Sequence, residues 1–460
     1  MSNSSAKHAP GSVGEMIMVA FPMVVSFACD TVMIFTDRLF LAKLGPESMS
    51  AAMAGGLSVY MLMSFFLGLI GYTTALVAQY LGAGQKGGCS RALTQSVLLA
   101  LLAYPVILAL IPAVHLMFEQ SGIAPMQLSE QKKYFDILVF GAVFMLWRHA
   151  LSGFFTGIGK TRIVMIAAAA AMVLNVVFNY ILVFGKFGAP ALGIQGAALG
   201  TVLSGACGVL ILLAVYLSEK NSREFLVTQS FRFDREVMGK LWRFGYPAGI
   251  EMFSTMAAFT GMVFVFHSEG MIAAAATTVV FNWDMVTYVP LLGIEIGVTS
   301  LVGRYMGARQ IEVVHRVVVS GLKLGFMYGA AMMVIFIVLP VQLVEIFRPH
   351  VPDGIFNEAV PLAVAMIKLV ALYVVAQTFL IVFIGALRGA GDTRWAMIIS
   401  VGIHWFILAV LFLMLKVFNT SVYAAWLALV LIFVAFTVAP YLRYRLGKWK
   451  TIRVVDPVET

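Results

Sequence analysis

Runs of apolar residues, each closed by a short polar turn rich in glycine and basic side chains, recur from one end of the chain to the other. "MIMVAFPMVVSFACDTVMIF" (16–35), "SVLLALLAYPVILALIPAVHLMF" (96–118) and "AAWLALVLIFVAFTVAPYL" (424–442) are clear cases. A helix needs about 20 such residues to cross the hydrocarbon of a bilayer. The pattern predicts twelve spans, beginning near residues 16, 50, 92, 134, 163, 194, 241, 272, 319, 359, 395 and 421. The chain is 61% hydrophobic and 12% charged, whereas soluble domains carry about twice that share of charge. The fold class expected is therefore all-α and integral to a membrane. The polar start, residues 1–15, precedes a first apolar run too long for the core of a signal peptide.

Net charge is +9, and its distribution argues against nucleic acid. Basic residues crowd the turns after even-numbered spans: Lys86 and Arg91, Lys160 and Arg162, Lys220 to Arg235, Arg304 to Arg316, Arg388 and Arg394, then the tail from Arg443 to Arg453. The opposite face holds few, chiefly Lys43, Lys132, Lys133, Lys186, Arg348 and Lys416. Cytoplasmic loops carry the excess of Lys and Arg, so both termini are expected in the cytoplasm; the inner membrane is the location that the family resemblance given below implies. Cys29, Cys89 and Cys207 are far apart and fit neither a disulfide framework nor a metal cluster.

The chain is also written twice. "QYLGAGQ" (79–85) returns as "RYMGARQ" (304–310), and the same offset pairs Pro22 with Pro247, Gly68 with Gly293 and Thr74 with Thr299. After a small insertion, "GFFTGIGKTR" (153–162) aligns with "GALRGAGDTR" (385–394). The first of these nearly matches a phosphate-binding loop, but the glycine falls one residue out of place, and Asp392 replaces Lys160 in the second copy. Both read instead as tight turns ending a span. Six spans per copy return the chain to its starting side. The halves are thus expected as two six-helix bundles related by a pseudo-two-fold axis along the membrane normal, as in secondary transporters. The expected domains are an N-terminal lobe (1–217), a basic linker (218–240), a C-terminal lobe (241–443) and a cytoplasmic basic tail (444–460).

Carboxylates inside apolar runs are functional candidates, because each costs roughly 2.5–3.5 kcal/mol to insert. Asp30 and Asp37 lie seven residues apart, within ~20° of one helix face. Asn175 and Asn179, at i and i+4, share another. Carboxylate, amide and hydroxyl oxygens together suit a small hard cation, while an acid in surroundings of low polarity can carry a proton instead; the two readings stay open. Asp30 either lines a cleft or pairs with a polar neighbour, and the asparagines have interhelical bonding as their plainer role. Glu251, Asp284 and Glu295 are the acids of the second half, with Asp284 and Glu295 again near one face. A cleft carrying several of these acids suits cationic substrates. Pro22, about four turns before Asp37, removes a helical hydrogen bond and is the candidate hinge.

The assembled pattern resembles the multidrug and toxic compound extrusion (MATE) transporters, in their NorM-like bacterial form. The likeness runs over nearly the whole chain, through "TDRLFLAKLG" (36–45), "NVVFNYILVFGKFG" (175–188), "LGIQGAALGTVLS" (192–204) and the two glycine-rich pairs. Ala42 stands where that family usually has glycine. The resemblance implies an antiporter exporting cationic or amphiphilic compounds in exchange for H+ or Na+. It needs no cofactor, has membrane lipids as partners and acts as a monomer. It also implies a first-lobe cation site, possible for Na+, on Asp37, Asn175, Asn179 and Thr201, and a second-lobe acid at Glu251. The family's tenth-span acid falls on Gln377, a departure that bears on any second sodium site. Three other readings ask for different features. A lipid-linked saccharide flippase would call for a more basic cavity, a membrane transferase for clustered Asp or His motifs, and a channel for symmetric pore elements.

Overall fold

The structure is a computed structural model that describes residues 8–348 and 354–455. Every regular element among the described residues is helical. Twelve spans are long and apolar enough to cross a membrane, once the bent pair that forms the fourth is taken as one. They are α1 (Val13–Ala42), α2 (Glu47–Gly82), α3 (Lys86–Gln120), α4 (Pro125–Phe140 with Ala142–Gly157), α5 (Thr161–Phe184) and α6 (Ile194–Leu217) in the first half of the chain. The second half holds α7 (Arg235–His267), α8 (Met271–Gly307), α9 (Ile311–Val338), α10 (Gly354–Ala390), α11 (Thr393–Val417) and α12 (Val422–Arg445). The expected polar leader before residue 8 and the end of the expected basic tail, beyond residue 455, lie outside the described residues.

The starts of the spans fall close to those the apolar pattern predicts, with the largest displacement at α4. That helix begins nine residues early, at Pro125, because it runs on through Glu130, Gln131, Lys132 and Lys133. Two of these polar residues have partners: the Ser48 hydroxyl donates to Glu130 at 2.7 Å, and Lys132 pairs with Glu119. Hydropathy alone stops where charge begins, whereas a helix can continue into the interfacial layer. α4 then bends by 45° at Gly141. A Cβ at Gly141 would lie inside the Val202 side chain of α6, so the bend sits where two spans approach closely, and glycine is a usual site for one.

Close approach through small residues recurs, as expected where lipid removes the hydrophobic drive between helices. α5 and α6 share the most extensive helix contact. At its centre Gly196 packs on the Leu182 carbonyl and Gly200 on the Asn179 side chain. The sequence duplication reappears as duplicated contacts. A Cβ on Gly157 would stand 2.8 Å from the Thr74 carbonyl, and one on Gly389 would stand 2.6 Å from the Thr299 carbonyl. Thr74 and Thr299 are themselves repeat partners, so each half locks its second span to its fourth by the same device.

The two glycine loops then turn through Gly159 (φ 74°) and Gly391 (φ 92°), backbone values that favour glycine. Neither loop serves phosphate chemistry here. Lys160 donates to Asn221 Oδ1 at 2.8 Å, and Asp392 accepts from Arg443 Nε at 2.7 Å. Lys160 thus ties down the segment that follows the first half, and Asp392 holds the end of α12. The other repeated turn differs between copies: Arg309 (φ 56°) holds a left-handed conformation that glycine holds at Gly84 (φ 77°).

The chain divides into two compact units. One is built on residues 25–253 and contains α2 to α6 whole. In it the segment between α6 and α7 is strapped to the start of α3, by Ser90 on the Phe225 carbonyl (2.8 Å), Arg91 on Asp234 (3.1 Å) and Gln95 on the Arg232 carbonyl (2.9 Å). The other unit is built on residues 254–306 and 310–453 together with the chain up to Val24. α1 and α7 each change unit partway along, after Val24 and after Phe253. Both helices stay unbroken across their prolines, Pro22 and Pro247.

Candidate functional site

Three spans of the first unit converge on Asp37. α1 carries the acid about five-sixths of the way along its length and leaves it 7% exposed. α5 brings Asn175 and Asn179, one turn apart on one face and both fully buried. α6 brings Thr201, next to Gly200, whose missing side chain admits the Asn179 amide.

The four polar groups close a ring. Asn179 Nδ2 donates to Asp37 Oδ1, and the Thr201 hydroxyl donates to Asp37 Oδ2 at 3.0 Å. Asn175 Nδ2 donates to Thr201 Oγ1 at 3.3 Å, and Asn175 Oδ1 accepts from Asn179 Nδ2 at 3.2 Å. Both carboxylate oxygens thus meet neutral donors, an arrangement that suits the ionised acid. One atom is left over. Asn179 Oδ1 is buried without a hydrogen-bond partner. Such an orphan calls for an explanation, and a cation or a proton on the neighbouring acid would each supply one. Tyr134, from the first segment of α4, also lies within electrostatic reach of Asp37. It was not singled out in the sequence, where it is one of many aromatics.

Because Gly200 leaves room for the Asn179 amide and for nothing larger, Gly200→Ala should push that amide off Asp37. The expected outcome is at least a tenfold fall in transport rate with insertion and folding retained, read by efflux assay and thermal unfolding. That size follows from losing a hydrogen bond to a charged group, about 1.5–3 kcal/mol.

The remaining acids are spread along their own helices. Sharing a helix face is not sharing a site: Asp30 and Asp37 stand about 10 Å apart along α1, and Asp284 and Glu295 about 16 Å apart along α8. Asp30 takes the second of its two sequence readings and pairs with a polar neighbour. Arg148 of α4 reaches both of its oxygens, at 3.1 and 3.3 Å. Glu295 is held by Arg388 of α10. Two of the acids expected to charge a cleft are thus each paired with an arginine. The reading of Arg388 as a loop charge is corrected, because α10 runs to Ala390 and keeps that arginine inside the helix. Arg148 escaped notice as a single basic residue in an apolar run.

Among the described residues Asp284 in α8 forms no ion pair, and its Oδ1 is buried without a partner. It lies within electrostatic reach of Tyr373. The Tyr373 hydroxyl accepts from Gln377 Nε2 at 3.3 Å, and Gln377 Oε1 is also buried and unpartnered. Glu251 is buried in α7, four residues beyond Pro247. Pro22 is buried within α1. Among the described residues no cluster of three or more His, Cys, Asp or Glu side chains is placed to hold a metal.

The chain is similar to known proteins along most of its length. The probable multidrug resistance protein NorM of Thermotoga maritima is 27% identical over 446 residues, covering 95% of this chain and 93% of that one. Two crystal structures described as MATE, one in the bent and one in the straight conformation, superpose with a TM-score of 0.85 each. Their sequence identities are 20% and 21%, and they cover 95% and 96% of this chain and 96% and 97% of theirs. The MatE family profile matches residues 22–181 and 247–415, one match in each copy of the repeat. With twelve apolar spans and that duplicated match, the chain belongs to the MatE family of multi-pass membrane transporters, and it is not an enzyme.

Proposed function

We propose that this transporter exports cationic or amphiphilic compounds across the inner membrane in exchange for incoming H+ or Na+, with both termini in the cytoplasm. The closed ring on Asp37 is the observation that carries the reading. A transporter needs a site that exists in two charge states, and the ring can exist in two. With the carboxylate ionised, Asn179 donates to it, as seen. With a proton or Na+ on Asp37, a half-turn of the Asn179 amide would present Oδ1 in place of Nδ2. The acceptor now left over would then face the new positive charge, and Thr201 and Asn175 would supply further oxygens. Na+ and H+ are cargo in this scheme and not resident cofactors.

Coupling requires that the charge state of Asp37 be felt by the rest of α1. The same continuous helix carries Pro22 about four turns earlier, where a backbone hydrogen bond is already missing. Loading Asp37 would shift the favoured bend at Pro22 and thereby the access of substrate. The bent and straight forms of similar structures support a shape change within this fold. The multidrug name of the NorM relative supports the substrate class.

The test uses purified protein in liposomes loaded with a cationic dye, with a pH gradient or a Na+ gradient imposed separately. At least one gradient should accelerate efflux several-fold over symmetric buffers. Efflux indifferent to both would overturn the exchange mechanism. The gradient that works names the ion.

A further inference from the structure

We infer that Arg148 is a built-in organic cation that competes with substrate for Asp30, so that this pair selects which charge types are accepted. The inference rests on the export reading above and adds a specificity-determining residue to it.

Depth is the first argument. Asp30 is the eighteenth of the thirty residues of α1, about 25 Å from the start of the helix and about 18 Å from its end at 1.5 Å per residue. Arg148 lies in the apolar second segment of α4, nine residues before its end at Gly157. The pair is well inside the span. Accessibility is the second. The Asp30 and Arg148 side chains are 32% and 28% exposed. An ion pair at this depth with an open edge toward lipid would be expensive, so the open edge must meet water. The contrast with the other acids is plain. Glu295 and its ring of packing leave the carboxylate 9% exposed, and Asp37 is 7% exposed and ringed by neutral donors. Of the two acids paired with arginine inside the spans, Asp30 is the one that a solute could reach.

Exchange is the third argument. Guanidinium and the ammonium or phosphonium group of a substrate want the same carboxylate. A partly exposed pair is worth little, so replacing one cation by another there is nearly balanced. The Arg148 stem passes beside Gly208 of α6, with the position of a Cβ 3.6 Å from Arg148 Cδ, so the side chain is flanked by a residue with no bulk of its own. A monocation binds by displacing Arg148 from Asp30. A zwitterion spans the pair, its cation on Asp30 and its carboxylate on Arg148, where the planar fork suits two-point binding.

The experiment measures binding to the full-length protein in detergent by titration calorimetry. It uses tetraphenylphosphonium, a permanent monocation with no hydrogen-bond donor, and a zwitterionic fluoroquinolone. In R148Q the phosphonium should bind about tenfold tighter and the zwitterion about tenfold weaker. In D30N/R148Q the preference for the phosphonium over the zwitterion should still exceed that of the wild type. R148K, which keeps the charge but not the fork, should keep the zwitterion bound more tightly than R148Q does. Equal shifts for both probes in R148Q would reduce the pair to structural support and overturn the inference. If R148Q does not fold, an unchanged preference in the double variant overturns it. Wild type that binds neither probe would sink the export reading itself. Wild type that binds both, with variants unmoved, would sink only the role of Arg148.

Discussion

Asp37→Asn abolishes gradient-driven efflux while leaving a folded, inserted protein. The substitution keeps size and shape, so the packing of α1 against α5 and α6 is unchanged. What changes is the hydrogen-bond bookkeeping of the ring. Asp37 now accepts from both Asn179 and Thr201, but an amide at this position can offer an oxygen to only one of them and must turn its NH2 toward the other. With its oxygen on Asn179 Nδ2, the amide would give its NH2 to the Thr201 hydroxyl, which then loses its bond to a charged acceptor. Losing a bond to a charged acceptor is worth about 1.5–3 kcal/mol, or roughly 10–100-fold in the occupancy of the ring's two states. The exchangeable charge disappears altogether. Thermal unfolding within a few degrees of wild type, together with efflux insensitive to either gradient, is the expected pair of results. Efflux that still follows a gradient would move the coupling site to the second unit, where Asp284 and Gln377 carry unpaired oxygens.

Arg388→Met should produce the largest loss of stability. Glu295 is 7% exposed, and the substitution removes the guanidinium that faces it in the apolar packing of α8 against α10. Breaking one side of a buried ion pair costs about 3–5 kcal/mol, because the remaining charge stays behind. Replacing both partners by apolar residues is often neutral. The unfolding midpoint of R388M should therefore fall by many degrees, and that of E295L/R388M should return toward wild type. If the double variant were no more stable than the single one, the arginine would be needed for contacts other than its charge.

How much of this could be read in the sequence follows from what each feature answers to. Spans are legible because a bilayer imposes one length and one composition on them, and α5, α6 and α12 begin within two residues of their predicted positions. The start of α4 was misplaced, since the helix continues past the apolar layer into residues that hydropathy scores as loop. The ring on Asp37 was reachable through the Asn175 and Asn179 spacing and the family resemblance, yet Gly200 was not. Its role is to have no side chain where another span passes, and nothing in "AALGT" announces that. The partners of Asp30 and Glu295 were hidden for a related reason. Arg148 and Arg388 are single residues whose meaning depends on which helix lies opposite, a question that periodicity along one helix cannot answer. Arg388 misled further by sitting near a turn, where basic residues ordinarily report topology.

The separation of Glu295 from Arg388 also bears on how the protein is made. The two residues are 93 positions apart, with the whole of α9 between them. At about 5–20 residues per second of synthesis, α8 emerges roughly 5–20 s before the arginine that neutralises its carboxylate exists. During that interval Glu295 has to remain at the insertion machinery or enter lipid as the neutral acid. With Glu295 ionised, α8 is thus not a self-sufficient insertion unit, and α8, α9 and α10 would have to complete their entry together. Insertion of the ionised α8 waits on the fourth span of its half.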